Sequence, residues 1–297
     1  MRLVTYQSET GPRIAGLRDG QWIDLNANDP GLPTDLRALL TLGPEALKRA
    51  EDVIASGKPI DNPNPTRLAP VQSPEKIVCV GLNYADHARE SGAQPPPVPV
   101  IFNKFPSALI GPDQPIMVPP VSEEVDFEAE LVLVIGRQGR NITQDDALDY
   151  VAGYTCGNDV SARDWQLRKP GGQWLLGKTF DTFAPTGPEF VTADELPDPN
   201  RLRICSRLNG EVMQDSSTAQ FIFSVQYLVS YISQVCTLKP GDLIFTGTPP
   251  GVGFSRQPPV FLKPGSVIEI EVEGIGVLRN PVAGGTGAHP PASPSTG

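Results

Sequence analysis

Residues 125–136, VDFEAELVLVIG, set Glu128 and Glu130 two apart, and residues two apart on an extended chain share a face. Val132 and Val134 continue that face, while Phe127, Ala129, Leu131 and Leu133 form the other. Both faces turn apolar toward the C-terminal half, so the strand reads as central and its glutamates as withdrawn from bulk water. Two carboxylates side by side in low dielectric repel each other and are costly to desolvate; a divalent cation relieves both penalties. Asp159, in GYTCGNDVSARD, offers a third oxygen beside glycines that permit close backbone approach. An all-oxygen Glu/Glu/Asp set selects a hard cation, Mg2+ or Mn2+, over zinc. The same pattern equally describes the polar face of an amphipathic strand with a turn aspartate beyond it.

The chain has only two histidines, and His289 lies in the terminal run GGTGAHPPASPSTG, which reads as a flexible tail over 284–297. Histidine chemistry therefore falls to His87. Glu90 stands three residues on, within reach on a helix. A carboxylate there fixes the imidazole tautomer and raises its basicity, which suits activation of a water, although such pairs also occur as plain surface ion pairs. Residues 172–179, GQWLLGKT, spell the phosphate-loop pattern. Its interior is bulky, and the following TFDTFAPTGP is extended, so backbone amides are poorly placed to wrap a phosphate. Lys178 is read instead as a lone cation beside the acidic cluster, able to carry a proton or face an oxyanion. The loop TGTPPGVG (246–253) could offer hydroxyls and amides to an anion, or could simply join two strands.

The elements that must position these groups are mostly short strands. Leu3–Tyr6, Ile14–Leu17 and Trp22–Leu25 are expected strands, followed by a helix opened by Pro44 and ended by Gly57. The Pro-rich stretch KPIDNPNPTRLAPVQSP marks a boundary between a small N-terminal α+β domain (1–70) and a larger domain (71–283). In the second part Lys76–Val80 is an expected strand, with Asn83 capping a short helix through Glu90. Val125–Ile135 is an expected unbroken strand, and Thr143 with Asp146 is an expected capping box for a helix over Ala147, Leu148 and Val151. Asn209-Gly210 marks a hairpin, Ser224 caps a helix, and Lys-Pro-Gly turns at Lys239 and Lys263 launch strands. The expected class is α+β, mainly β.

Composition limits what such a protein could do. Lys plus Arg number 24 against 34 Asp plus Glu, a formal charge of −10, which disfavours nucleic acid or an anionic membrane as partner. No stretch approaches the ~20 apolar residues of a membrane span, and the opening MRLVTYQSET lacks a signal peptide's apolar run, so the expected compartment is cytoplasmic. Four scattered cysteines without C-x-x-C spacing read as reduced core residues.

Taken together, GLNYADHARE (81–90), VDFEAELVLVIG, GNDVSARDWQ (157–166), GKTFDTF (177–183), LNGEVMQ (208–214) and KPGDLIFTGTPPGVG (239–253) resemble the fumarylacetoacetate hydrolase family. The likeness covers about residues 76–282 in family order, and NDVSARDWQ with QWLLGKTFDTF is closest to its domain-containing-protein-2 branch. The resemblance implies a mixed β-roll catalytic domain, usually a homodimer, with one magnesium or manganese held by Glu128, Glu130 and Asp159. It implies His87 and Glu90 as the water-activating pair, Lys178 as the catalytic lysine, and Arg163, Gln166 and Thr248 as substrate-binding residues. The implied substrates are small 2-oxo or 2,4-dioxo carboxylates. Leu82 stands where the acylpyruvase branch usually has arginine, and Lys104-Phe105 where it tends to have Lys-Pro; both fit the other branch, for which oxaloacetate keto-enol tautomerisation is implied. The leading expectation is hydrolysis of a C–C bond in a 2,4-dioxo acid such as an acylpyruvate or fumarylpyruvate, with a pyruvate enolate leaving. Tautomerisation or decarboxylation of oxaloacetate is the alternative, and a metal-binding scaffold without turnover a further one.

Overall fold

The protein is described by a computed structural model covering residues 1–90, 92, 94–169 and 171–285; His289 and residues 286–297 of the expected tail lie outside the described residues. Two sheets dominate. The larger has eleven strands, and along its main path the neighbours are Gln21–Asp24, Gly11–Arg18, Arg2–Ser8, Ala184–Thr192, Val151–Asn158, Ala129–Ile135, Leu243–Phe245, Ile77–Gly81 and Val100–Lys104. The smaller runs Glu211–Ser217, Arg203–Leu208, Val267–Val272, Gly276–Gly284 and Ile116–Val118. Both are mixed: Leu243–Phe245 pairs parallel to Ile77–Gly81, and Gly276–Gly284 parallel to Ile116–Val118. This is the expected mainly-β α+β class. Arg2–Ser8 joins the larger sheet through Ala184–Thr192, so the N-terminal strands extend the sheet that carries the acidic residues.

Ala129–Ile135 is buried along its whole length because AELVLVI offers an apolar side chain to each face. Phe127, Ala129, Leu131, Leu133 and Ile135 enter one core. Val132 and Val134 enter a second, with Cys79, Phe190 and Phe245 and with Leu36, Leu39 and Ala50 of the N-terminal helices. The strand is thus a wall between two cores, and its few polar side chains must find partners inside the protein.

Most local expectations hold, with instructive departures. Asn209 and Gly210 both take positive φ and turn a two-residue hairpin, and Ser224 caps Val225–Val235 through the Tyr227 amide. The described cysteines are free, with Cys79, Cys156 and Cys205 buried. The expected strand over Val125–Ile135 is interrupted at Phe127-Glu128, because the Asp126 carboxylate captures the Phe127 amide (2.8 Å) and Asn158 Oδ1 that of Glu128 (3.0 Å). Asn83 does not cap the helix Ala85–Glu90. Its buried side chain donates to the Phe223 and Thr246 carbonyls and accepts from the Phe223 amide. The Thr143–Asp146 box forms, but opens only a 3-10 turn over Ala147–Tyr150, because the Tyr150 carbonyl accepts from Gly136 and Val151 starts a strand. A helix over Leu36–Leu42, capped by Asp35, was not expected. Among the described residues no helix is long and apolar enough to cross a membrane.

Gly157 faces Glu130 across the ladder, and a Cβ there would lie 2.4 Å from Val132 Cγ2 and 2.6 Å from Phe245 Cε1. Gly157→Ala should therefore destabilise the fold by about 1–3 kcal/mol through overpacking. Thermal and denaturant unfolding would measure it, and a wild-type midpoint would show that this close approach carries no constraint.

Candidate active site and metal centre

Glu128, Glu130 and Asp159 are brought together by backbone geometry. The Asp159 amide donates to the Glu128 carbonyl (2.9 Å), locking the residue after Val151–Asn158 onto the break before Ala129–Ile135. One carboxylate oxygen from each of the three lies within 4.8 Å of the other two, and all three residues are buried. Burial, then Asp159 and Glu128, push the Glu130 carboxyl well above the usual carboxylate range; the Gly247 amide, 2.7 Å from Oε2, only partly opposes them. Burial also raises Glu128, but Lys178 and Arg163 outweigh it and hold its carboxyl down at about 2.

Three cations answer four acids. Lys178 Nζ stands 2.9 Å from both Glu128 Oε2 and Asp159 Oδ2. Burial disfavours its charge, but Asp159 and Glu128 prevail and hold the ammonium above its ordinary range. Arg163 donates through Nε (2.9 Å) and Nη2 (2.8 Å) to Asp126, and through Nη1 to Glu128 Oε1 (2.7 Å) and Gln166 Oε1 (2.9 Å). Lys104 is fully buried and spends its three protons on the carbonyls of Val160 (3.0 Å), Phe183 (2.8 Å) and Lys178. Its nitrogen lies 2.7 Å from Asp159 Oδ1, yet that oxygen has no hydrogen-bond partner.

The donor set fits a divalent cation. It is all oxygen, close enough to converge, and contains a buried acceptor left without a proton to accept. With every group ionised, Asp126, Glu128, Glu130 and Asp159 exceed Lys104, Arg163 and Lys178 by one charge. A divalent ion reverses that excess and leaves a positive centre for a carboxylate.

His87 and Glu90 meet as the spacing required, Nδ1 to Oε2 at 3.1 Å, and Glu90 also accepts from the Gly251 amide. His87, Lys178, Glu128, Arg163, Gln166 and Thr248 line one cavity of about 240 Å³, walled by Leu82, Phe102, Trp174 and Phe254. Larger hollows exist, one of about 770 Å³ beside Leu47 and Ala152, but none of these residues lines them. The phosphate-loop pattern does not form a phosphate loop. Leu175–Lys178 is a single helical turn that ends at the lysine, whose ammonium is committed to carboxylates. Four amides of the 246–254 loop go to the protein's own carboxylates, Gly247 to Glu130, Gly251 to Glu90, and Gly253 and Phe254 to Asp126.

Sequence reading passed over three residues in this network. Asp126 was within reach of it, since the two-residue period that pairs Glu128 with Glu130 also includes Asp126. Lys104 and Gln214 carry no local signal, because each matters only for what distant segments place around it.

The fumarylacetoacetate hydrolase C-terminal family model matches residues 76–283, and the chain belongs to that family. It is 51% identical over 287 residues, 95% of this chain and 90% of the relative, to the mitochondrial oxaloacetate tautomerase fahd2 of Xenopus laevis. Among solved structures it resembles a putative HpcE protein from Mycobacterium smegmatis, with TM-score 0.86, 38% identity, and coverage of 96% of this chain and 99% of that one. It also resembles maleylpyruvate hydrolase from Sphingobium sp. SYK-6 in complex with manganese(II) and pyruvate, with TM-score 0.80, 29% identity, and coverage of 96% and 100%. The mitochondrial relative corrects the cytoplasmic expectation. An absent apolar run speaks only to secretion, whereas mitochondrial transit peptides are amphipathic and Arg- and Ser-rich.

Glu130→Gln tests the metal centre. It should weaken Mn2+ binding by more than the ~10–100-fold that disturbing an outer-shell partner costs, while the protein stays folded. Stoichiometric manganese in that variant by elemental analysis would remove Glu130 from the ligand set.

Proposed function

We propose that this chain is a divalent-metal-dependent enzyme that interconverts the enol and keto forms of oxaloacetate, with Glu128, Glu130 and Asp159 as ligands and Lys178 as the proton carrier. One observation carries the reading: a charged, buried lysine that lines a small cavity together with Glu128 stands 2.9 Å from two of the three converging carboxylates. The Xenopus relative, named for this activity, supports it. So does the cavity's size, about 240 Å³, at the small end for ligand sites and suited to a four-carbon acid.

A Mg2+ or Mn2+ ion held by the three carboxylates would supply Lewis-acid polarisation of the 2-oxo acid's carboxylate and carbonyl oxygens. Lys178, kept as an ammonium, delivers a proton to C3 as the enol oxygen gives up its own to water, and that proton returns through water to the lysine. Thr248 and Gln166 hold the acid group from the cavity wall, and Arg163 keeps Glu128 and Gln166 in register.

Hydrolysis of a 2,4-dioxo acid is the second reading, and a specific arrangement favours it. Glu90 is anchored by the Gly251 amide and holds His87 Nδ1, and His87 lines the same cavity as Lys178, the pairing that suits a general base acting on a water. The maleylpyruvate hydrolase shares the fold. The exposed Ile101 and Phe105, on and beside the sheet's end strand Val100–Lys104, support the homodimer implied by the family resemblance.

Three measurements follow from this reading. Lys178→Met should slow the fall in oxaloacetate enol absorbance more than His87→Ala does. His87→Ala should cut any acylpyruvate cleavage by ~10²–10⁴-fold, the worth of a general base, and retain a larger share of the tautomerisation. Equal loss in both assays would make His87 the enolate's proton carrier and overturn this division. Light scattering should give twice the chain mass, and a monomer at micromolar concentration would exclude the dimer.

A further inference from the structure

Gln214 belongs to the smaller sheet, is 1% exposed and does not line the cavity, yet it joins the strand of the acidic residues to the Thr248 loop. Its Oε1 accepts from the Ala129 amide (3.0 Å) and from Ser206 Oγ (2.9 Å). A backbone amide can only donate, so the atom facing it must be the oxygen. The Nε2 end then faces Thr248 Oγ1 at 2.7 Å and the Pro249 carbonyl at 2.8 Å, and a carbonyl can only accept. The amide therefore has one possible orientation, and Thr248 Oγ1 must accept from it. The threonine's own proton has to point elsewhere, and among the described residues none accepts it. Thr248 lines the cavity, so the cavity is where that proton is offered.

We propose that Gln214 is a positioning residue that makes Thr248 an obligate hydrogen-bond donor to an anionic oxygen of the substrate. The same logic applies to Gln166, which also lines the cavity: the Arg163 guanidinium can only donate and takes Gln166 Oε1, so the Gln166 amide nitrogen remains as that side chain's donor. Two donors locked in this way favour a carboxylate over an amide or ester of the same acid. The inference rests on the 2-oxo acid reading above and assigns the polarity of its binding wall.

The test uses the manganese-loaded protein, with pyruvate as probe by calorimetry, oxaloacetate turnover resolved into KM and kcat, and manganese content with thermal unfolding as structural controls. Gln214→Glu replaces the donor by an acceptor and draws the Thr248 proton inward. It should weaken pyruvate roughly ten- to a hundredfold and raise KM, with manganese retained. In a Thr248→Val background the same change should add no more than about twofold, whereas in Thr248→Ser its full effect should persist. Should Gln214→Glu fail to fold, Gln214→Met, which removes the donor without adding an acceptor, runs the same cycle and should show a smaller loss that Thr248→Val also abolishes. Wild-type-like pyruvate affinity in both Gln214 variants, or a loss undiminished by Thr248→Val, overturns the inference and leaves the functional reading standing. Wild-type protein that neither binds pyruvate nor acts on oxaloacetate overturns both.

Discussion

Four carboxylates packed beneath one small cavity are the constraint from which the rest of the site follows. Asp126, Glu128, Glu130 and Asp159 are each less than a tenth exposed, in an interior where an isolated charge is costly. Arg163, Lys178 and Lys104 are buried with them for that reason. Each is placed by a different segment: the helix Arg163–Arg168, the turn Leu175–Lys178 and the end strand of the larger sheet. Balance remains incomplete, with Glu130 disfavoured as an anion and Asp159 Oδ1 lacking a donor. That deficit makes a hard cation the natural completion of the cluster. It also explains why the lysine beside it stays charged.

The loop 246–254 shows how the fold spends backbone donors on this problem. Four of its amides are aimed at Glu130, Glu90 and Asp126, so one loop holds an acid from each part of the site: the candidate metal ligands, the histidine pair and the arginine anchor. Gly247 and Gly251 make this possible through positive φ, and a Cβ on Gly251 would meet the Met213 carbonyl at 2.2 Å. A loop that looks ready to cradle a ligand's anion instead cradles the protein's own. The proposed substrate recognition then falls to side chains whose donor direction is set from behind, as Gln214 sets that of Thr248.

Much was legible from sequence because it depends on local period. Strand alternation divided the side chains of Ala129–Ile135 between two cores, helical spacing joined His87 to Glu90, Asn209-Gly210 turned its hairpin and Ser224 capped its helix. These rules act within a few residues and need no partner. Where a local rule failed, a distant partner had taken the group it counted on. Asn158 took the Glu128 amide and broke an expected strand, and the Phe223 backbone took the Asn83 side chain and removed an expected cap.

Tertiary structure decided what the cluster is made of and which way its hydrogen bonds run. No spacing rule links Lys104 to Asp159, Gln214 to Thr248 or Arg163 to Asp126, because those pairs are 34 to 55 residues apart and meet only when sheets and loops close. The sequence by itself determined that a pair of acids at the start of an apolar strand would be buried, since its apolar neighbours leave them no route to water. Only the folded chain decided how many cations would answer them, which oxygen would go without a partner and which protons would face the cavity. Charge compensation and donor direction depend on three-dimensional neighbours, and the order of residues along the chain does not specify those.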